Sequence, residues 1–210
     1  MSVTVIAYHR AMGRWEPDAR GRLAKAAMAL YAEQGFDQTT VAEIAARAGL
    51  TERTFFRHFA DKREVLFYGT EMLRDLLVRA VADAPAAATA MDAAGAAFEA
   101  AGAVLQENPD RVRLRDAIVS AHAELREREL IKLAALASAV AGALRDRGIA
   151  EPAASLAAET GVAVFKIAFA RWIGEPGQPD LPAIIRESMT ELSGMLTGRL
   201  ADGVTVASGQ

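Results

Sequence analysis

The sequence predicts an all-α protein in two parts: a small N-terminal three-helix domain built around a helix-turn-helix, and a larger C-terminal helical bundle. Three observations carry this. Alanine, the strongest helix former, is abundant along the 210 residues. Apolar residues recur at three- and four-residue spacing, and no run shows the alternation of a strand. Breaks between the runs carry glycine or proline, at Gly35, Gly49, Pro109, Gly148, Pro152, Pro176 and Pro179.

The first helix is expected from Asp18 to Gln34, with Leu23, Ala27, Leu30 and Tyr31 as its inner stripe. Gly35 ends it and Phe36 packs under the turn. Thr40 then caps a second helix, with Glu43 at capping-box spacing. Val41, Ile44, Ala45 and Ala48 fall at helical spacing, and Ala45 is small enough for another helix to cross closely. Gly49 closes that helix, where a left-handed turn costs least. Leu50 turns inward and Thr51 caps a third helix over Glu52 to Phe59. Such a pair is a helix-turn-helix, whose second helix enters the major groove of DNA.

On that third helix Phe55 and Phe59 are four residues apart and share the core face. Arg53 and Arg57 lie nearly opposite, flanked by Thr54 and Phe56. Arginine can make two parallel hydrogen bonds to guanine, and threonine can meet a phosphate or a thymine methyl. Thr40 and Thr51 sit at helix starts, which favour a phosphate. His58 and Lys62 are placed to hold the DNA backbone. For Phe56 two roles stay open, DNA contact or packing on a neighbouring helix.

The stretch TTVAEIAARAGLTERTFFRHFADKREVL closely resembles the DNA-binding domain of TetR-family repressors, over roughly residues 18 to 68. The resemblance implies DNA contacts at Thr40, Thr51, Arg53, Thr54, Phe56, Arg57, His58 and Lys62. The family usually has Tyr, with a phosphate-bonding hydroxyl, where this chain has Phe56.

A fourth helix is expected from near Asp61 to Ala82, with Val65, Leu66, Met72, Leu73 and Leu76 as its apolar face. It would connect the reading head to the rest, so that its tilt sets the head's position. After ADAPAAATA, helices are expected at about 90–107, 109–119, 122–147, 153–174 and 180–201. Leu181, Ile184, Ile185, Ser188, Met189, Leu192, Met195 and Leu196 make one stripe; Leu156, Thr160, Val164, Ala168 and Trp172 make another. Ala157, Gly161 and Gly194 would permit close approach. The resemblance implies that these last two helices pair with their copies in a homodimer. The expected organisation is a flexible arm over 1–17, the helix-turn-helix domain over 18–64, a helical ligand-binding and dimerisation domain over 65–202 and a disordered tail over 203–210. For Arg10 and Arg14 in the arm two readings stay open, contact with the DNA backbone or minor groove, or a disordered tail.

Within the bundle, Met91, Phe98, Leu105, Leu114, Ile118, Phe165, Phe169 and Trp172 are candidates to line a cavity for a small apolar or amphipathic effector. Arg111 and Arg115 share a face that suits an anionic group. His122 is either a polar wall of that cavity or a cap near the start of the next helix. The segment AHAELRERELIKLAALASAVAGALRDRG, followed by a helix ending ARW, is similar to the C-terminal domain of the mycofactocin-regulator-like branch of the family, which implies an acyl-CoA-like ligand.

Composition bounds the alternatives. With no cysteine, disulfides, thiolate catalysis and cysteine-ligated zinc are excluded. His9, His58 and His122 fall in three different settings, and no HExxH, GxSxG or phosphate-loop pattern occurs, so neither an enzyme nor a cofactor or metal is expected. No signal-peptide core appears and no apolar run suggests a membrane span, so the expectation is a cytoplasmic protein. The net charge is −3, yet residues 1 to 80 carry 12 basic against 10 acidic side chains and the remainder 12 against 17. The basic excess lies beside the reading helix, so DNA binding must depend on local placement of charge. The expected function is a homodimeric repressor released from a palindromic operator by a small molecule; the alternatives are an activator of the same family or a DNA-binding architectural protein without an effector.

Overall fold

The computed structural model describes residues 18–175, 177 and 179–203. The expected arm over 1–17, with Arg10 and Arg14, and residues 204–210 of the expected tail lie outside the described residues. All regular structure in the described residues is helical. The chain divides into two compact units after Tyr68.

The first unit holds α1 (Ala19–Gln34), α2 (Val41–Arg47), α3 (Glu52–His58) and a 3-10 turn (Glu64–Phe67). The Asp18 side chain caps α1 by accepting from the Gly21 amide at 2.8 Å. Leu23, Ala27, Leu30 and Tyr31 form the buried stripe, as the periodicity predicts. Ile44 and Ala45 from α2, Phe55 from α3 and Phe59 complete the small core. Phe36 closes it below, with its ring edge-on to Tyr31 at 5.1 Å. Burial pushes the Tyr31 phenol well above its ordinary pKa, and the Asp61 carboxylate adds to this. Its hydroxyl donates to the Lys62 carbonyl at 2.8 Å.

The expected fourth helix is interrupted. Asp61 does start a turn, its carboxylate accepting from the amides of Arg63 and Glu64. That turn is 3-10, and Val65, Leu66 and Phe67 bury against the head. Regular helix resumes only at α4 (Thr70–Ala82). The division therefore falls four residues beyond the 64/65 boundary expected from sequence. The buried residues of α4 are Leu77 and Val81, and Met72 is exposed.

The second unit adds α5 (Ala90–Leu105), α6 (Pro109–Ala121), α7 (Ala123–Asp146), α8 (Ala153–Gly174) and α9 (Leu181–Gly203) to α4. Helix α9 thus runs through residue 203, where the tail was expected to begin. Helices α4, α5, α7, α8 and α9 share one core, while α6 packs mainly on α7. Thr89 opens α5 with a capping box to Asp92. At the far end of α4, the Arg147 guanidinium donates to the carbonyls of Val81, Ala82, Ala84 and Pro85 at 2.7–3.1 Å. They lie at and just beyond a helix end, where backbone acceptors are in excess; Val81 and Pro85 also accept from the amides of Ala84 and Ala88.

Small residues set the helix spacing. A Cβ on Gly102 would lie 2.8 Å from Ile185 Cδ1, so α5 and α9 approach closely there. A Cβ on Gly161 would lie 2.5 Å from Phe98 Cε2. Gly161 therefore permits the close approach expected of it, by seating the Phe98 ring inside the protomer. Gly161→Ala is expected to cost about 1–2 kcal/mol, as overpacking outweighs the gain in helix propensity. Urea denaturation should show this as a lower midpoint at unchanged slope.

Helix α8, with 22 residues, is long and apolar enough to cross a membrane by length and composition, which corrects the reading that no run suggests a span. In the structure it is a central helix of the bundle, burying Ala154, Ala157, Ala158, Val162, Val164, Phe165, Ala168 and Trp172.

Candidate nucleic-acid interface

Helix α3 is short, and its geometry rests on its two ends. Thr51 Oγ1 accepts from the Thr54 amide at 3.2 Å. The preceding turn is held by Gly49 at φ +66° and by the Leu50 amide donating to the Ala45 carbonyl at 2.8 Å. This is the left-handed glycine ending read from the sequence. Thr40 caps α2 reciprocally: its hydroxyl accepts from the Glu43 amide, and the Glu43 carboxylate accepts from the Thr40 amide at 2.8 Å. Those donors hold the Glu43 carboxyl below the usual glutamate range. The core end of α3 is fixed by Phe55, fully buried, and by Phe59 at 5.5 Å from it.

With that face buried, Glu52, Arg53, Phe56 and Arg57 project to solvent. Among the described residues, neither Arg53 nor Arg57 makes a hydrogen bond or ion pair. Their donors remain available. By contrast Arg47 is held by Glu33 through two bonds, and Arg22 donates to the Ala48 carbonyl. Thr40 and Thr51 are exposed, and Thr54 is half-buried with its hydroxyl 3.0 Å from that of Thr51. His58 is half-buried, and its Nε2 is buried without a partner. The imidazole thus points partly into the head.

Lys62 departs from expectation. Its ammonium donates to the carbonyls of Phe36, Asp37 and Thr39 at 2.8, 3.0 and 2.9 Å, which uses all three N–H bonds. It also sits 4.7 Å from the centre of the Phe36 ring. Burial lowers its pKa, against the opposing pull of Asp37. In the chain without DNA, Lys62 thus fastens the loop that leads into α2. Phe56 does not pack on a neighbouring helix but is 56% exposed.

In the bundle, four of the expected effector contacts form a row. Phe98, Phe165, Phe169 and Trp172 follow one another at 5.6, 5.8 and 5.9 Å between ring centres. Phe98 and Trp172 are almost completely buried and serve the core, with Trp172 Nε1 donating to the Pro179 carbonyl. Met91, Leu105 and Phe169 are partly buried against that core. Ile118 is buried on α6. His122 lies between α6 and α7, its Nδ1–H donating to the Ile118 carbonyl at 2.8 Å. It closes the end of α6.

The arginine cluster splits. Arg115 pairs with Glu129, so its charge is compensated instead of standing ready for an anion. Arg111 is exposed. It is Arg113 that joins the aromatic row, 5.3 Å from the centre of the Trp172 ring. Burial, then Glu129, pushes the Asp116 carboxyl up. Sequence reading missed Asp116 and Glu129, because nothing in the local pattern brings α6 and α7 together there.

Comparison with known proteins follows the same division. Residues 23–68 match the model of bacterial regulatory proteins of the TetR family. The chain is 36% identical over 79 residues to the transcriptional regulator TcmR of Streptomyces glaucescens, and 41% identical over 58 residues to the transcriptional repressor KstR2 of Mycobacterium tuberculosis. These segments are 38% and 28% of this chain, and the chain spans only 35% and 28% of the length of those relatives. The fold extends further. FadR of Thermus thermophilus, a TetR-family repressor solved with lauroyl-CoA, covers 83% of this chain and 93% of its own at 23% identity and TM-score 0.56. FadR of Bacillus subtilis, solved with stearoyl-CoA, covers 82% and 96% at 19% identity and TM-score 0.60. SmeT of Stenotrophomonas maltophilia, repressor of a multidrug efflux pump, covers 83% and 89% at 23% identity and TM-score 0.56. The capped helix-turn-helix thus matches the TetR family of bacterial regulatory proteins in sequence over residues 23–68, and most of the chain is similar in fold to solved TetR-family regulators.

Proposed function

We propose that the chain is a transcriptional repressor that binds a palindromic operator as a homodimer and is released by a small apolar or amphipathic molecule. The supporting observation is the pair Arg53 and Arg57, exposed and without partners on a helix capped and anchored on its other face. An unpaired guanidinium is matched to the edge of guanine. One short helix reads too few bases for genomic specificity. Two copies placed about 34–36 Å apart, or a multiple of that, read a symmetric site.

The homodimer forms through α8 and α9, though on a different face from the stripe read in the sequence. Within one protomer Leu181, Ile184, Ile185, Val164, Ala168 and Trp172 are buried. Apolar residues left outside, among the described side chains, include Leu156, Ala163, Ile167 and Ala170 on α8 and Met195 on α9. Effector binding acts on the bundle, and α4, which follows the head in the chain and packs on α5 and α7, passes the change on. Two fold relatives hold acyl-CoA, and SmeT has been solved with triclosan. That precedent in fold makes acyl-CoA the first effector class to test.

The test is fluorescence anisotropy on a duplex selected from random DNA, with salt dependence recorded. Arg53→Ala/Arg57→Ala should weaken binding by at least on the order of 100-fold, since each base contact carries about 1–3 kcal/mol. Equal binding by the variant would overturn the reading. Lauroyl-CoA and triclosan are then added to the bound complex. Release by either supports an effector-controlled repressor, and failure across a broad apolar panel would leave DNA binding without effector control.

A further inference from the structure

Phe56 is exposed where apolar side chains are otherwise hidden. Among the large hydrophobic residues of the described head, Phe55 and Phe59 on the same short segment are buried, whereas Phe56 is 56% exposed. Its ring stands edge-on to Phe55 at 5.5 Å and 84°. Since Phe55 is buried in the core, the Phe56 ring rests against a fixed neighbour and is otherwise turned outward. It shares the outer face with Glu52, Arg53 and Arg57.

A phenyl ring on this face has no donor or acceptor, so it cannot bond a phosphate or a polar base edge. In the major groove the one apolar group on a base edge is the C5-methyl of thymine. We propose that Phe56 reads that methyl group, making thymine the preferred base at one position of each half-site, beside the bases met by Arg53 and Arg57. The proposal rests on the DNA-binding reading above. It gives this chain a base contact through the residue that lacks the hydroxyl common in its family.

The test replaces each thymine of the selected operator by deoxyuridine, symmetric positions together, which removes only the methyl groups. Affinities are measured for the wild type, Phe56→Ala and Phe56→Gln; the glutamine variant keeps a long side chain should alanine loosen the head. Burying one methyl is worth about 4-fold, so a symmetric pair should cost the wild type about 16-fold at one position. At that position both variants should bind the thymine and uracil duplexes equally. Uniform indifference of the wild type to uracil, a selected operator without thymine in its half-sites, or equal sensitivity in the variants overturns the proposal. If the wild type binds no duplex at all, the DNA-binding reading has failed first, and that outcome is distinct.

Discussion

Lys62→Met should loosen the reading head and abolish operator binding at concentrations where the wild type saturates. Methionine keeps the apolar stem beside Phe36 but offers no donor to the carbonyls of Phe36, Asp37 and Thr39. Removing a charge-assisted donor from three carbonyls costs several times an ordinary hydrogen bond, and part returns because the ammonium no longer has to leave water. About 2–3 kcal/mol is the expected net loss, a large share of the stability of a domain this small. Hydrogen exchange should rise over residues 36–47 and 52–59, while peptides from α5 and α8 stay unchanged. Lys62→Arg separates the two roles that this side chain has been given. A flat guanidinium cannot put three N–H bonds where the ammonium does, so arginine should also fail if Lys62 fastens the loop. If Lys62 instead holds a DNA phosphate, arginine would bind nearly as well as the wild type and exchange would be unchanged.

Lys62 also shows where sequence reading stops. Its charge and its place after the reading helix suggest DNA, because the three carbonyls that hold it come from a loop 23 to 26 residues earlier. No local pattern records that meeting. The rest of the head was legible because its signals are local: Thr40 with Glu43, Gly49 at a positive φ, Thr51, and two phenylalanines four residues apart. Each works within one or two turns of chain. Phe56 resisted, since exposure is a property of the folded head, and so did the 3-10 turn over Glu64–Phe67.

The bundle was legible in its helices and not in its faces. Leu156, Thr160, Val164, Ala168 and Trp172 were read as one stripe, yet each four-residue step advances about 40° around the axis. Over four steps the row turns nearly half way round, from exposed Leu156 to buried Trp172. Alanine on every side gives no contrast to correct such drift. Arg115 was misread for another reason: its partner Glu129 lies on the next helix.

Ile167→Glu should leave the protomer folded and split the homodimer. Steps of four, three, four and three residues from Leu156 keep Thr160, Ala163, Ile167 and Ala170 on one face, and Ile167 is 66% exposed in the single chain. A carboxylate there therefore costs the monomer little. In a pairing of α8 and α9 with their copies it becomes a buried charge near its own symmetry mate. The nearby Arg171 is already tied to Glu175 and Glu187, at 2.7 and 2.6 Å, which fastens α8 to α9 along the rim. Sedimentation should give a monomer with unchanged helix content. Operator affinity should fall by on the order of 100-fold or more, because two linked heads bind with an advantage that a single head lacks. Ile167→Ala removes contact area without adding charge and should weaken the dimer only in part. A dimer that survives Ile167→Glu at the same protein concentration would place the interface elsewhere on the bundle.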